Sequence, residues 1–523
     1  MCIRLAGNLF KTSDFIQCKK LILAVSGGSD SLALLFLVKD HLKTLSSPPE
    51  MVAVTVDHQL REESAGEAFI VAEICRAHRI KHVILRWEGQ KPKTQIASSA
   101  RVARYDLLFQ EAQKQGATLI MTGHTLNDQV ETYQMRSWRL QRNKGSQGGA
   151  WERGHDGVYA RGPAGVVQDE ACNVHDGVYV KVPAGVAQGG ACEGVRSGVH
   201  FIEFRENIAW ENCLVAEKNH GLMPARGLSC MAREAVLRQK VRLIRPLLGV
   251  KRETLRAYLR FKDKTWIDDP SNENCNFERV RVRQSLHAKK LASIAQKIHE
   301  AARKRRQQAQ MIADLMLALD IMVEYGRCFI AKPAPFLQQD QGFPFVVGLF
   351  TVLMGGGFYL LPQQKLTTLM QKLSLHSSEK RRFTYAGSVV EYNGHGIALW
   401  REARNMREVI VEPKTTVLWD GRYQIINHGT DAIKVGAAGL EELKSLLKKR
   451  HVDLENPHFP SLQSLLMISN DKGYDIPEFT DHSVVQKNII VKRIMAPFHW
   501  LFSCEDAAFV NIVEPFFNIE VKR

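Results

Sequence analysis

One glycine-rich hexapeptide constrains the fold of this chain more than any other feature of its sequence. It runs from Ser26 to Ser31, reads S-G-G-S-D-S, and lies between two apolar runs. The run before it, Leu21 to Val25, has the length and composition of a buried strand, and the run that ends near Leu42 is long enough for a helix. A turn of this kind directs backbone N–H groups and a helix N-terminus at one point, which is an anion site and most naturally a phosphate site.

Each residue type of the hexapeptide suits a phosphate ligand. Glycines let the backbone approach closely, serine hydroxyls add hydrogen bonds, and a carboxylate holds a metal ion that bridges phosphates. The spacing fits neither the Walker A pattern nor G-x-G-x-x-G. The order S-G-G-x-D-S after a strand resembles the pyrophosphate loop of N-type ATP pyrophosphatases, which cleave ATP between its α and β phosphates. The predicted ATP contacts are therefore Ser26, Gly27, Gly28, Ser29, Asp30 and Ser31.

Strand-like and helix-like segments alternate from Leu21 to Trp138, which predicts βαβ units on a parallel sheet. Ligands of such sheets bind beyond the carboxyl ends of the strands. The hexapeptide, Asp57-His58 and Gly123-His124 all follow predicted strands, so we expect them to form one site. The further predicted elements are strands at 51–58, 82–87 and 118–122, and helices at 64–78 (opened by a Ser64–Glu67 capping box), 95–115 and 127–138.

A second motif, G-H-T-L-N-D-Q-V-E-T, occupies residues 123–132. On a helix Asp128, Glu131 and Thr132 share one face, because they lie at positions i, i+3 and i+4. Two carboxylates near a triphosphate indicate magnesium more often than acid–base catalysis. We therefore predict that these three residues are catalytic, together with Asp30, and that Asp30 and Asp128 bind the metal.

Two further groups extend the predicted site. The carboxylate of Asp57 at a strand end can accept a hydrogen bond from ribose or adenine, and His58 and Arg61 can meet phosphate or developing charge. We assign Asp57 and His58 to ATP binding. On the helix at 95–115, Arg104 is predicted to face the site as a catalytic residue, whereas Arg101 is at least as well explained as part of a solvated basic face.

The composition indicates a polyanionic partner. The 523 residues carry a formal net charge of +16, which favours nucleic acid. The ten cysteines include no Cys-x-x-Cys pair and no zinc-ligand spacing, so they are interpreted as reduced thiols of a cytoplasmic protein. No stretch of about 20 apolar residues occurs, and no membrane span is predicted.

A basic region from 238 to 283 is the predicted nucleic-acid contact. Its alternating arginines near residue 280 lie along one edge if extended and spread around the axis if helical, and both arrangements suit phosphates. Trp266 and Phe277 are candidates for stacking on bases. The predicted tRNA-binding residues are Arg245, Arg279, Arg281 and Arg283.

The remaining chain divides into three parts. Residues 147–226 contain a 20-residue repeat, in which His155 to Tyr159 recurs at His175 to Tyr179, and are predicted to be a largely disordered insertion. Apolar residues at helical spacing predict one long helix from 287 to 323. The predicted domains are a nucleotide-binding domain at 1–285, a helical linker or tRNA-binding region at 286–375, and a small β-rich domain at 380–523.

Taken together, the motifs resemble those of the tRNA(Ile)-lysidine synthetase family within the PP-loop superfamily. Besides the hexapeptide and the second motif, the matching sequences are VDHQLR at 56–61, RVARY at 101–105, GLSCM at 227–231, RPLL at 245–248, and DPSN followed by NFERVRVR up to residue 283. The loop is shared by many ATP pyrophosphatases, whereas the combination with the last two motifs is specific to this family. The C-terminal region matches more loosely, at Arg401-Glu402 and Trp419 to Arg422.

The resemblance implies a ligase with a Rossmann-like α/β domain. Such an enzyme uses ATP and Mg²⁺ to adenylate the 2-oxo group of the wobble cytidine in a tRNA(Ile) with a CAU anticodon. The ε-amino group of free L-lysine then displaces AMP and gives lysidine. The sequence does not decide whether the chain forms a homodimer, which residues bind lysine, or which tRNA nucleotides are recognised.

The chain departs from the family pattern in two places. First, Asn127 replaces the first of two aspartates in the second motif, so the sequence does not decide whether residue 127 is a metal ligand. Second, the repeat insertion separates two segments that are nearly adjacent in the family. Two other functions stay open. One is a tRNA thiolation enzyme of the same superfamily, against which the absence of Cys-x-x-Cys argues, and the other is a non-catalytic tRNA-binding relative.

Overall fold

A computed structural model of the chain describes residues 9–92, 94–145, 226–268, 275–373, 379–404, 406–449, 454, 457–479 and 488–517. Of the predicted insertion at 147–226, only Arg226 lies within these ranges. The Asp-Pro-Ser-Asn sequence at 269–272 also lies outside the described residues.

Strands occur in both halves of the chain. In chain order they are β1 Lys20–Ala24, β2 Glu50–Asp57, β3 Lys81–Arg86, β4 Leu119–Thr122, β5 Glu234–Leu237, β6 Val241–Ile244, β7 Ile321–Glu324, β8 Arg327–Ala331, β9 Arg381–Tyr385, β10 Ser388–Tyr392, β11 Gly396–Arg401, β12 Val409–Val411, β13 Thr415–Trp419, β14 Tyr423–Asn427, β15 Ile433–Ala437, β16 Leu466–Asn470, β17 Gly473–Asp475, β18 Ile489–Arg493 and β19 Leu501–Ser503.

Helices separate many of these strands. In chain order they are α1 Ser29–Leu42, α2 Ser64–Ala77, α3 Ile96–Gln115, α4 Leu126–Gly145, α5 Arg252–Phe261, α6 Glu278–Gln284, α7 Ala288–Ala318, α8 Pro335–Gln338, α9 Phe343–Gly355, α10 Gln363–Leu373, α11 Leu440–Lys449, α12 Phe459–Leu462, α13 Ala496–His499 and α14 Ala507–Phe517. Among the described helices, none is long and apolar enough to span a membrane.

The first sheet has the strand order β19-β5-β6-β4-β1-β2-β3. Strands β1 to β4 and β6 are parallel, whereas β5 and β19 pair antiparallel with their neighbours. Both faces are covered, since Leu21 and Leu23 pack with α1 and α5 while Ile22 packs with Leu108 of α3. Two-sided burial explains the continuous apolar composition of the central strands. The predicted parallel α/β fold is confirmed.

A second, antiparallel sheet has the order β7-β8-β11-β10-β9. One hydrophobic core joins this sheet to α9, α10, the C-terminal half of α7 and α14. This core contains residues from both sides of the predicted boundary at 375–380. The limits of the domains remain predictions. Two smaller sheets, β12-β15-β16-β17 and β13-β14-β18, complete the β-rich C-terminal region.

The long helix is shorter than its sequence pattern predicts. Helix α7 ends at Ala318, and residues Ile321–Glu324 form β7 instead of continuing the helix to residue 323. The reason lies in the next turn, where Tyr325 and Gly326 both have positive φ angles and connect β7 to β8 as a tight hairpin. The prediction of a helix over 319–323 is therefore wrong.

The turn after β13 lies against the end of α9. Gly356 follows α9 in the left-handed conformation, with a φ angle of +72°, and a Cβ atom there would fall almost on the carbonyl oxygen of Asp420. Asp420 also accepts hydrogen bonds from the Arg401 guanidinium, at 3.0 Å from Nε and 2.8 Å from Nη2. The turn at 419–422 therefore joins the small sheets to the second sheet.

We expect Gly356→Ala to destabilise the protein more than Gly116→Ala. Both glycines have positive φ, which costs a side-chain-bearing residue about 1–2 kcal/mol, but a Cβ at Gly116 meets no atom within 4 Å. The difference between the two variants therefore isolates the contact with Asp420. Thermal unfolding of both variants checks the expectation, and equal losses of Tm would contradict it.

Candidate active site

The hexapeptide forms the turn between β1 and α1. Gly28 is the N-cap of α1, and the helix begins at Ser29. The Ser31 hydroxyl donates to the Gly28 carbonyl at 3.0 Å and accepts the backbone N–H of Ser26 at 3.1 Å. Ser31 is buried and holds the shape of the turn, whereas Ser26 is exposed. The structure thus presents a turn followed by the N-terminus of a 14-residue helix.

Two glycines bring other segments into contact with this turn. Gly27 has a φ angle of +87°, and a Cβ atom there would lie 2.7 Å from Cδ1 of Ile267, whose backbone N–H donates to the Gly27 carbonyl at 3.0 Å. A Cβ atom at Gly123 would lie 3.0 Å from backbone atoms of Asp30 and Ser31. The hexapeptide, the second motif and the segment near Ile267 therefore meet at the carboxyl edge of the first sheet.

Asp57 ends β2 and is buried. Its Oδ1 accepts the backbone N–H of Gln59 at 2.9 Å and the hydroxyl of Ser64 at 2.7 Å. The predicted capping box is therefore wrong, because Ser64 is the first residue of α2 and its hydroxyl bonds to Asp57, while Glu67 pairs with Arg61. The carboxylate of Asp57 holds the loop after β2 in place.

His58 and Arg104 lie side by side. Nε of Arg104 donates to Nε2 of His58 at 3.3 Å, so that ring nitrogen carries no proton in this arrangement. Burial, and then the charge of Arg104, lower the pKa of His58 to about 4. The imidazole is therefore neutral at neutral pH and does not supply positive charge to a phosphate, whereas Arg104 is exposed and charged.

Asp128 and Asn127 lie in the first turn of α4. Oδ2 of Asp128 accepts both the backbone N–H and the hydroxyl of Thr125 at 2.8 Å. Asn127 turns the other way, and its Oδ1 accepts the backbone N–H of Arg252 at 2.9 Å. The amide of Asn127 thus fixes the start of α5 on α4, a contact that a carboxylate oxygen could also accept.

Six charged residues form an ion-pair cluster beside the phosphate turn. We call it the carboxylate–arginine cluster, and it consists of Asp30, Asp128, Glu131, Arg252, Arg279 and Arg283. It contains three carboxylates and three guanidinium groups, so its formal charges cancel. The cluster joins the hexapeptide, the second motif and the basic region in one place.

Two arginines bridge the carboxylates of this cluster. Nε of Arg252 lies 2.8 Å from Oδ2 of Asp30, and its Nη2 lies 3.5 Å from Oδ1 of Asp128. Nη2 of Arg279 lies 2.8 Å from Asp128 Oδ1, and its Nε lies 2.7 Å from Glu131 Oε2. Arg283 completes the set with an Nε to Glu131 Oε1 distance of 2.8 Å.

The two predicted metal ligands differ in their pKa shifts. Burial raises the pKa of Asp30, and the charge of Arg252 only partly opposes this effect. Burial would also raise the pKa of Asp128, but the charge of Arg279 and its other neighbours hold it below the usual value. Asp128 therefore keeps its negative charge at lower pH than Asp30 does.

Glu131 and Thr132 are less accessible than their motif predicts. The Glu131 side chain is 0% exposed and lies between guanidinium groups. The Thr132 hydroxyl donates to the carbonyl of Asp128 at 2.7 Å, one turn earlier in α4. Their catalytic roles remain predictions.

The predicted tRNA-binding arginines lie in different environments. Arg245, at the end of β6, is 2% exposed and donates to the carbonyl of Ala232 at 2.7 Å. Because such a side chain is out of reach of a tRNA backbone, we remove Arg245 from the predicted tRNA contacts. Helix α6 spreads the others, so that Arg279 and Arg283 face Glu131 while Arg281 donates to the carbonyls of residues 275 and 276.

Arg245 instead lies close to His124. Burial, and then the positive charge of Arg245, lower the pKa of His124 well below its usual value. Nδ1 of His124 lies 2.8 Å from the hydroxyl oxygen of Thr122. The neutral imidazole of His124 and the buried guanidinium of Arg245 thus lie together at the start of the second motif.

The segment after the insertion is attached to α4. The Gln129 side-chain amide donates to the Met231 carbonyl at 2.8 Å and accepts the Met231 backbone N–H at 2.9 Å. Nη1 of Arg136 donates to the Gly227 carbonyl at 2.6 Å. The GLSCM motif, which the sequence leaves without a role, therefore packs on the helix that carries Asp128 and Glu131.

The donor set beside the turn fits magnesium better than zinc. Asp30 and Asp128 both contact Arg252, so two carboxylates converge next to the phosphate turn. Mg²⁺ is usually held by one or two carboxylates together with substrate phosphates and water. No group of three or more His, Cys, Asp or Glu side chains with metal-binding geometry occurs in the described part of the chain.

Sequence reasoning missed Arg252 and Arg256 as residues of the site. Both lie in α5, and Arg252 contacts Asp30 while Nε of Arg256 lies 3.4 Å from the Ser29 hydroxyl. Their spacing of four residues was a usable signal, because it places the two side chains on one face wherever the segment is helical. The general basic character of the region concealed it.

We expect Glu131→Gln to destabilise the protein by about 2 kcal/mol, because it removes the buried carboxylate that Arg279 and Arg283 share, while both guanidinium groups are partly exposed and regain water. Glu300→Gln is the control, since Glu300 pairs with Lys304 across an exposed turn of α7 and should leave unfolding unchanged. Denaturant unfolding of both variants measures the effect. Equally small changes in the free energy of unfolding for the two variants would show that the carboxylate–arginine cluster does not stabilise the fold.

Comparison of the sequence with known proteins identifies the family of the chain. Residues 4–161 and 209–290 match the model of a family described as a PP-loop domain. The chain is 69% identical to the tRNA(Ile)-lysidine synthase of Bartonella henselae and 67% identical to that of Bartonella quintana, and both alignments cover all of both chains. It is 30% identical to the tRNA(Ile)-lysidine synthase of Brucella anthropi over 97% of this chain and 96% of the relative.

One solved structure, the U34-tRNA thiolase NcsA from Methanococcus maripaludis with its [4Fe-4S] cluster, is 12% identical and covers 57% of this chain and 79% of its own. Its TM-score of 0.35 is too low to bear on fold or function. The two Bartonella tRNA(Ile)-lysidine synthases, by contrast, match along the whole length of this chain. The chain belongs to the tRNA(Ile)-lysidine synthase family.

Proposed function

We propose that this chain is an ATP-dependent ligase that joins free L-lysine to the wobble cytidine of a tRNA(Ile) with a CAU anticodon. The observation that carries the proposal is the meeting of the phosphate turn with Asp128 through Arg252, in a chain that matches tRNA(Ile)-lysidine synthases over its full length. The substrates ATP, lysine and tRNA occur together in the cytoplasm, where we expect the protein to act.

In the first step, the 2-oxo oxygen of the cytidine attacks the α phosphorus of ATP. The bond from that phosphorus to the bridging oxygen breaks, and pyrophosphate leaves with the bond electrons. The protein stabilises the charge of the leaving group through the N–H groups of the hexapeptide and the N-terminus of α1, which are aligned before the reaction. The product of this step is a cytidine adenylated on its 2-oxygen.

In the second step, the ε-amino group of lysine attacks C2 of the adenylated cytidine. A carbon–nitrogen bond forms, the bond from C2 to the adenylate oxygen breaks, AMP leaves, and the nitrogen loses a proton. No covalent bond to the protein is required. Most of the acceleration therefore comes from positioning and from electrostatic stabilisation.

Asp30 and Asp128 would hold Mg²⁺ in this reaction, and the ion would supply positive charge to the phosphates when bound. We propose that Ser26 and Arg104, which are exposed, and Asp30, which is partly buried, meet the substrates. Glu131 and Asp57 act at one remove, because their carboxylates are buried and hydrogen-bonded to the protein. We propose that they position Arg279 and the loop after β2.

Contact with tRNA is proposed for the exposed cations of α7, a 31-residue helix that packs on α4 with its N-terminal half. Its exposed basic side chains are Lys289, Lys297, Arg303, Lys304 and Arg306. Such a set neutralises phosphates without reading sequence. Arg281, which is exposed on α6, extends this basic surface toward the site.

The proposed activity predicts ATP-dependent incorporation of radiolabelled lysine into a tRNA(Ile) transcript with a CAU anticodon. A methionine tRNA with the same anticodon is the control, and it should remain unlabelled. Absence of label from both transcripts, with folded protein that binds tRNA, would contradict the proposal.

We expect Asp30→Ala to lower the rate of lysine incorporation at least about a hundredfold, because it removes one of the two carboxylates proposed to hold the Mg²⁺ that would neutralise the phosphates. Its affinity for tRNA should not change, and filter binding measures this separately. Asp40→Ala is the matched control on the same helix, where Asp40 pairs with Lys262 at the surface. Unchanged lysine incorporation by the Asp30 variant would contradict a catalytic role of Asp30, whereas a non-catalytic tRNA-binding relative would bind tRNA and incorporate no lysine with or without the substitution.

A further inference from the structure

Arg256 lies next to the phosphate turn but outside the carboxylate–arginine cluster. It follows Arg252 by four residues in α5, so both side chains share the face of that helix that is directed to the hexapeptide. Nε of Arg256 lies 3.4 Å from the Ser29 hydroxyl oxygen at the first residue of α1. A second guanidinium is therefore present where a helix N-terminus meets the turn.

The guanidinium of Arg256 is held by two neighbours on the loop after α5. Its Nη2 donates to Oδ1 of Asp268 at 2.7 Å, and its central carbon lies 5.4 Å from the centre of the Trp266 ring. The indole Nε1 of Trp266 donates to the other oxygen of Asp268 at 3.1 Å. The Asp268 side chain is 67% exposed, so this ion pair is screened by water and costs little to break.

The charges around the turn explain why this arginine matters. The hexapeptide has no lysine or arginine, unlike a Walker A loop. Arg252, Arg279 and Arg283 are matched by three carboxylates of the cluster, two of which each contact more than one of these arginines. A triphosphate that enters the turn brings negative charge that this neutral cluster does not balance. Arg256 is the adjacent cation whose carboxylate partner is mostly in water.

We propose that Arg256 binds the pyrophosphate portion of ATP, and that Asp268 and Trp266 hold its guanidinium beside the turn until the nucleotide arrives. The inference rests on the proposed function, because it assigns a residue to the same ATP site. The planar fork of an arginine matches phosphate oxygens with two parallel hydrogen bonds. Binding exchanges the carboxylate of Asp268 for phosphate, while the indole continues to support the guanidinium plane.

The first test measures nucleotide affinity by isothermal titration calorimetry on the full chain. We expect Arg256→Ala to weaken the binding of ATP and of inorganic pyrophosphate at least about tenfold. The affinities of Arg256→Lys should lie between those of the original protein and of Arg256→Ala, because lysine keeps the charge but not the planar guanidinium. The affinity for AMP should stay unchanged. Unchanged pyrophosphate affinity, or an equal loss for AMP, would overturn the proposal.

Arg260→Ala is the matched control. Arg260 belongs to the same helix, and its guanidinium lies 5.6 Å from the centre of the same Trp266 ring. The variant removes the same charge and the same kind of stacking contact. It should leave ATP affinity within about twofold of the original, and a loss equal to that of Arg256→Ala would show that only the general positive charge matters.

We expect Asp268→Asn to raise the affinity for ATP and pyrophosphate, which is opposite to the effect of Arg256→Ala. Without the carboxylate, Arg256 has no competing anion, so ATP and pyrophosphate should bind more tightly, by about twofold to tenfold. If the pair were only a structural bridge, this variant would weaken ATP binding as Arg256→Ala does, and that result would overturn the proposal. Circular dichroism of each variant verifies that it is folded.

The proposed function and the role of Arg256 can be contradicted independently. If the original protein binds ATP but adds no lysine to tRNA(Ile), the proposed function is wrong, and the pyrophosphate titrations still decide the role of Arg256. If lysine is incorporated and Arg256→Ala binds pyrophosphate normally, only this inference is wrong.

Discussion

The rest of the site depends on one set of ion pairs, the carboxylate–arginine cluster, which is built around the buried carboxylate of Glu131. It joins a strand-end turn near residue 30, a helix near residue 130 and two segments beyond residue 250. Burying charges costs several kcal/mol per ion unless each is paired and hydrogen-bonded. The cluster meets this condition through shared partners, since Arg279 contacts both Asp128 and Glu131. The same pairs that allow the segments to pack also fix the carboxylates proposed to hold the metal.

The cluster changes how the basic composition of the chain is interpreted. Arg279 and Arg283 carry part of the formal charge of +16, yet both pair with the buried carboxylate of Glu131, and Arg245 is itself buried. The positive charge that remains accessible lies largely elsewhere, including on the outer face of α7. A nucleic-acid surface is identified by the cations that face solvent. The arginines that neutralise carboxylates of the protein itself have to be set aside first.

The end of the chain connects the C-terminal region to the site. Strand β19 extends the first sheet by pairing with β5, and Asp506, just beyond it, accepts hydrogen bonds from Arg305 of α7 at 2.9 and 2.7 Å. Asp506 also pairs with Arg226, the residue that begins the segment attached to α4. Packed contacts therefore connect the C-terminal region to the helix that carries Asp128 and Glu131.

The sequence by itself determined the parallel sheet, the phosphate turn, the helical face of the second motif and the family, because strand and helix periods and the local turn chemistry are short-range properties. It failed where long-range contacts compete with local ones: Ser64 bonds to Asp57 rather than capping its own helix, and the hairpin at Tyr325-Gly326 ends α7 early. Only the tertiary structure decided which charges pair. Asp30 and Arg252 are 222 residues apart in the chain, and no local pattern specifies a partner at that distance. For the same reason, the contacts of Arg245, Arg256 and Asn127 could be identified only from the packed structure.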